Sequence, residues 1–276
     1  IEGREAGERG ARIIADYLAS HFYALGLEGI KATEGGESPL NCYYQPFDTA
    51  KVSSFFADTM QFMHLNNIIG KIEGKNPNEV VIIGAHYDHL GIQNGEIYNG
   101  ADDNASGVSA VLQIANAFIN SGVKPERTVI FALWDGEEKG LLGSDYYVRS
   151  HSNISSVKGY LNFDMIGRNS DEANPQTLTL FYTAANSAFE QWSREDIIEY
   201  SLEIKPQYNA WDRPVGGSDN SSFAEKDIPI IWYHTQGHPD YHKPTDTVEK
   251  INWDKLLNIT KSAYLNMWNL ANVKTY

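Results

Sequence analysis

The run Val80-Val81-Ile82-Ile83-Gly84 contains no polar side chain. A strand with one face in water alternates apolar and polar residues, so a continuous β-branched run marks a central strand buried on both faces. Thr128-Val129-Ile130-Phe131-Ala132-Leu133-Trp134 is a second buried strand of this kind. Between the two, residues 106–119 place Val108, Val111, Leu112, Ala115 and Ile119 on one side of a helix. Buried strands alternating with helices require a largely parallel sheet with helices on both faces.

The rest of the chain extends this pattern. A helix is predicted over 10–25, where Ile14, Leu18, Phe22 and Leu25 recur at helical spacing and Gly26 stands at the stop. Strands are predicted over 67–72, 160–163, 177–181 and 228–233, and helices over 141–148 and 189–200. In the last helix Trp253, Leu256, Leu257, Thr260, Tyr264, Met267 and Leu270 form a stripe expected to face the core. The expected fold is α/β: a single domain over 1–276, with a mixed, largely parallel central β-sheet sandwiched by helices.

Composition excludes several classes of function. With 22 basic against 36 acidic residues the net charge is −14, which opposes binding to nucleic acid or anionic membranes. Cys42 is the only cysteine, so neither an internal disulfide nor a thiolate metal cluster can form. No apolar run approaches the ~20 residues of a transmembrane helix. The polar start Ile1-Glu2-Gly3-Arg4 fits a chain whose signal has been trimmed, and an extracytoplasmic location, periplasmic or secreted, is expected. Of the four glycosylation-type triplets, at Asn104, Asn153, Asn220 and Asn258, the first lies in a candidate metal loop, and all are read as chance matches.

The polar residues that matter cluster beyond the strand ends, where α/β sheets bind their ligands. His86 and Asp88 follow the strand ending at Gly84; Glu137 and Glu138 follow the one ending at Trp134; Asp164 follows Phe163. Gly100-Ala101-Asp102-Asp103-Asn104 precedes a helix with more polar side chains than an N-cap needs. Tyr241-His242 lies in a loop before the final helix. Two imidazoles, His86 and His242, with three carboxylates, Asp103, Glu138 and Asp164, suit a pair of zinc ions. Asp103 is assigned as the bridge, because one carboxylate can use both oxygens. Asp88 is placed behind His86, whose second N–H needs a partner. Glu137 is left free to move protons, and Tyr241 to donate to an oxyanion. His89 is read as a loop residue. Met165, Ile166, Trp232 and Tyr233 are candidates for an apolar specificity pocket.

The phrases Gly-Ala-His-Tyr-Asp-His, Asn-Gly-Ala-Asp-Asp-Asn-Ala-Ser-Gly and Tyr-His-x-Pro-x-Asp-Thr resemble the co-catalytic zinc aminopeptidase family, which also holds glutamate carboxypeptidases, glutaminyl cyclases and the transferrin receptor ectodomain. The resemblance runs from about Asn67 to the C-terminus, and Gly3-Arg4-Glu5-Ala6-Gly7 is similar to the family's lead-in to its first helix. It implies two zinc ions per chain, with Glu138 and His242 completing one site around Asp103, and His86 and Asp164 the other. It implies Glu137 as general base, Tyr241 as oxyanion donor, and a peptide with a free N-terminus as substrate. Ser218-Asp219-Asn220 departs from the family's Ser-Asp-His. Rival expectations are a single-zinc cyclase, a carboxypeptidase or dipeptidase gripping a carboxylate with Arg168 or Arg213, and a receptor-like domain without chemistry. A lid-bearing deacylase has little room in the 77 residues between Asp164 and His242.

Overall fold

The computed structural model describes residues 2–33, 36–51, 61–273 and 275–276. The strands are β1 (Glu28–Gly29), β2 (Tyr44–Lys51), β3 (Gln61–Ile72), β4 (Asn76–His86), β5 (Ile92–Gln93), β6 (Glu96–Ile97), β7 (Arg127–Trp134), β8 (Val157–Phe163), β9 (Thr177–Thr183), β10 (Lys205–Trp211) and β11 (Ile230–His234). The helices are α1 (Arg9–Leu25), α2 (Gly107–Ser121), α3 (Leu142–Ser150), α4 (Ala188–Glu199), α5 (Asn220–Ala224) and α6 (Trp253–Asn272). Nine strands join in the order β1-β3-β7-β4-β8-β11-β9-β10, with β2 on the far part of β3. The centre, β7-β4-β8-β11, is parallel throughout, while β3 and β9 pair antiparallel to its two margins.

Both faces of the sheet are covered, as the apolar runs require. Val81, Ile83 and Ala85 of β4 pack with α1, α2 and α6, while Val80 and Ile82 pack with Tyr147 and Val148 of α3 and Phe223 of α5. β7 is buried along its whole length. The expected α/β architecture with a mixed sheet between helices is therefore the one the chain forms. No helix among the described residues is long and apolar enough to cross a membrane.

Three local expectations need correction. In α6 the buried face is Leu256, Ile259, Ala263, Met267 and Leu270, whereas Trp253 and Leu257 are more than half exposed. Those two sit four residues apart on the flank of the apolar face, where helical spacing alone does not separate core from margin. β2 and β10 are strands that periodicity did not mark. β2 carries Pro46 and lies off the main sheet path, and β10 is an edge strand of alternating exposure with Pro206 near its start. Proline is tolerated only at such margins. The last central strand is displaced to 230–234, which places His234 at its carboxyl end.

Candidate metal centre

Because β7, β4, β8 and β11 run parallel, their carboxyl ends share one rim. His86 is the last residue of β4, Glu137 and Glu138 form a helical turn just after β7, and Asp164 directly follows β8. Asp103 comes from the irregular turn that precedes α2. His242 and Tyr241 come from the loop between β11 and α6. The five residues expected to hold metal therefore lie together with Glu137, and all of these but the buried His86 line a cleft of about 300 Å3.

Asp103 stands between two groups of donors. Its Oδ1 lies 3.4 Å from His86 Nε2, and its Oδ2 lies 3.1 Å from His242 Nε2. On the first side, Asp164 Oδ1 is 3.7 Å and Glu137 Oε2 is 4.0 Å from His86 Nε2. On the second, Glu138 Oε2 is 3.2 Å from His242 Nε2. His86 Nε2 is buried and has no hydrogen-bond partner. A buried imidazole nitrogen left bare among carboxylates is costly unless something with positive charge engages it. The donors are nitrogen and oxygen, the set that suits zinc. By chemistry and placement these residues fit divalent cation binding.

The electrostatics agree. Burial alone would depress the His86 imidazole, but Glu137, Asp164 and Asp88 outweigh it and carry it well above its ordinary value. Hydrogen bonds to Asp103 and Glu138 carry His242 up to about 10. Burial would raise Glu138, yet its bonds with His242 and His89 hold it well below the usual carboxylate range. Asp103 is raised by burial, and Glu137 is raised well above its ordinary value by burial together with Asp164, Asp219 and Asp88, against the opposing His86. A cluster this acidic draws His86 and His242 toward the charged form; positive charge is what it lacks.

The supporting contacts differ in part from expectation. Asp88 is close to His86, with Oδ1 3.6 Å from Nδ1, but its carboxylate accepts from the backbone N–H groups of Glu137 (3.0 Å) and Glu138 (3.2 Å). It thus ties the β4 loop to the β7 loop. His89 is no bystander: it is fully buried, and its Nδ1–H donates to Glu138 Oε1 at 2.8 Å, leaving Oε2 toward His242. Its sequence signal was the third polar residue of His86-Tyr87-Asp88-His89. Asp246, four residues after His242, accepts from the N–H groups of Asp102 (3.0 Å) and Asp103 (3.1 Å). Asn104 donates to Phe163 O and accepts from Met165 N–H, joining the Asp103 turn to the Asp164 loop. Met165 and His242 both adopt left-handed backbone, at φ 56° and 53°, an unfavourable conformation for such side chains that clusters at functional sites.

Of the four pocket candidates, Met165 and Trp232 line the cleft and Ile166 and Tyr233 do not. Ile166 packs in the core, and Tyr233 faces the opposite side of β11, with its hydroxyl near Ser262 (3.1 Å). Alternation along the strand instead turns His234 to the side of Trp232. His234 lines the cleft and donates from Nδ1 to Asp164 O at 2.6 Å. Gly217, at φ +90°, lies against the Trp232 ring so closely that a Cβ would stand 2.5 Å from it. Asn220, which replaces the expected histidine, donates to Pro214 O (2.7 Å) and Gly216 O (3.1 Å) and so holds that loop. Arg168 is engaged by Asp240 at 2.8 Å, and Arg213 donates to Glu225 O at 3.0 Å. Neither lines the cleft.

Residues 67–266 match Peptidase family M28, and the chain belongs to that family. Leucine aminopeptidase 2 of Trichophyton rubrum is 31% identical over 230 residues, covering 72% of this chain and 43% of that protein. This chain spans between about a third and a half of the length of the first curated relatives it matches. Among solved structures, the zinc aminopeptidase BSAP of Bacillus subtilis is similar with a TM-score of 0.64 and 24% identity, covering 79% of this chain and 54% of that one. Glutaminyl cyclase of Macrostomum lignano is similar with a TM-score of 0.73 and 16% identity, covering 96% and 84%. Likenesses at such identities establish the shared fold and leave the choice of reaction to the site.

Proposed function

We propose that this chain is a zinc-dependent aminopeptidase that removes N-terminal residues from peptides. The observation that carries the reading is Asp103 presenting one oxygen to His86 and the other to His242. Two zinc ions would share Asp103, one held further by Glu138 and His242, the other by His86 and Asp164. When bound, they supply Lewis-acid polarisation of the scissile carbonyl and make water acidic enough to attack near neutral pH. Glu137 takes the proton of the attacking water and returns it to the leaving amine as the C–N bond breaks. Its carboxylate suits that part, being the farthest of the first group from His86 Nε2 and tethered only through its backbone to Asp88. Tyr241, stacked on His242 and nearly half exposed in the cleft, donates its hydroxyl to the oxyanion.

The substrate's free α-amine sits by Glu137 and Asp164, and its side chain against Met165, Trp232 and His234. That wall favours bulky, neutral N-terminal residues. The carboxypeptidase reading lacks its cation, since no Lys or Arg is among the lining residues described. The single-zinc cyclase reading leaves His86 and Asp164 without a purpose. Aminoacyl-anilides and matched N-blocked and C-blocked peptides, with and without chelator, test the proposal. Hydrolysis of C-blocked but not N-blocked peptides, lost on chelation, is the expected result; hydrolysis of N-blocked peptides would overturn it. Metal counting gives the complementary check, with two zinc ions per chain expected against one for a cyclase.

A further inference from the structure

Arg4 lies 82 residues before the first metal-site residue, yet its guanidinium is spent on the metal loops. Nε donates to Tyr87 O at 2.8 Å, Nη1 to Asn99 O at 2.7 Å, and Nη2 to Gly100 O at 3.0 Å. Tyr87 stands between His86 and Asp88, and Gly100 opens the turn that carries Asp102 and Asp103. One rigid fork therefore spans two separate loops. The backbone around it is docked as well. His89 N–H donates to Arg4 O at 3.0 Å, Gly91 N–H donates to Gly3 O at 2.9 Å, and Glu5 bridges to His89. Gly3 is in left-handed conformation at φ +69° and so close to Gly91 that a Cβ would stand 2.2 Å from its carbonyl oxygen. Outside this seam, Glu5 is bound by Lys139 at 2.8 Å, one residue beyond Glu138.

The turn that holds Asp103 is not regular helix: Asp103 and Asn104 depart from helical backbone. Asp103 is thus placed by contacts with other segments: Asp246 accepts from its N–H at 3.1 Å, and Arg4 joins the residues just before its turn, 99–100, to the His86 loop. We infer that Arg4 is a positioning residue of the metal centre, setting the distance between the His86 loop and the Asp103 turn. A planar guanidinium reaches three carbonyls at fixed mutual angles, which an ammonium cannot do. Burial lowers the Arg4 guanidinium from its ordinary value, and the field of Asp103, Asp88, Asp246 and Glu138 opposes that shift. The inference rests on the two-metal reading of the site.

Zinc affinity, measured on folded protein by competition with a chromophoric chelator, separates positioning from simple stapling. Arg4→Met is expected to weaken zinc binding by ~10–100-fold, as loss of supporting contacts around a metal does, and to alter the visible spectrum of the cobalt-substituted protein. Arg4→Lys is expected to remain weakened, because charge returns without the fork. Gly3→Ala keeps the arginine but forces the segment off Gly91, and it decides alone if Arg4→Met does not fold; it too should weaken zinc. Variants that bind zinc within twofold of wild type, with an unchanged cobalt spectrum, would overturn the inference. A wild-type protein that binds no zinc would instead overturn the metal reading itself.

Discussion

At the scale of single residues, function depends on which atom of each side chain is left free. Glu138 gives Oε1 to His89 and keeps Oε2 for His242. Asp88 spends its carboxylate on the two N–H groups that begin the Glu137–Glu138 turn. Glu137 has no such anchor on its own carboxylate, which suits the proton-transfer role proposed for it. Glu137→Gln removes the base but not its volume or its backbone contacts. It should lower kcat by ~10²–10⁴-fold with zinc content per chain unchanged. Retained turnover would remove Glu137 from the mechanism, and lost zinc would make it a ligand instead. The candidate ligands and their order were legible in the sequence because His86, Glu138 and Asp164 stand at or just past strand ends, Asp103 just before a helix and His242 in the loop before the last one. The part played by His89 was not, because nothing local says which way a loop imidazole turns.

At the scale of elements, the central strands and main helices were legible from apolar runs and helical spacing. The margins were not. β10 and β2 each gain their hydrogen bonds from a single neighbouring strand, β9 and β3, and their composition is that of loops. α4 shows how an element can carry a poorly solvated charge. Asp196 is buried in it with Oδ2 unpartnered, and burial, with Glu199 and Glu195 close by, pushes its carboxyl up to about 6. The folded state then holds a proton that the unfolded chain has released between roughly pH 4 and 6. Stability attributable to this group is therefore full below that window and is lost as pH rises through it. Asp196→Asn should raise Tm at pH 8 and lose its advantage near pH 4. Melting curves at the two pH values check this; an equal shift at both would show that the effect is not titration.

At the scale of the whole molecule, four parallel strands bring Glu137, Glu138, Asp103, Asp164 and Asp88 into one acidic site. In the absence of cations this concentration of charge opposes folding, and bound metal reverses that. A ligand at ~1,000 times its Kd adds ~4 kcal/mol, so chelation should lower Tm by on the order of 10 °C for a chain of this size. Added zinc should restore it. Calorimetry with chelator and then with excess zinc measures both, and a chelator-insensitive Tm would mean that the folded state does not depend on the metal.

The layered α/β plan and the chemistry of the rim are written in short-range patterns: buried runs, helical spacing, and acids and imidazoles beside strand and helix ends. Long-range packing sets the rest: Trp232 and His234 line the cleft while Tyr233 does not, Arg168 is engaged by Asp240, and Arg4 joins two distant loops. Those outcomes depend on strand register and on contacts between segments far apart in the chain, where the orientation of a side chain is set by what it meets.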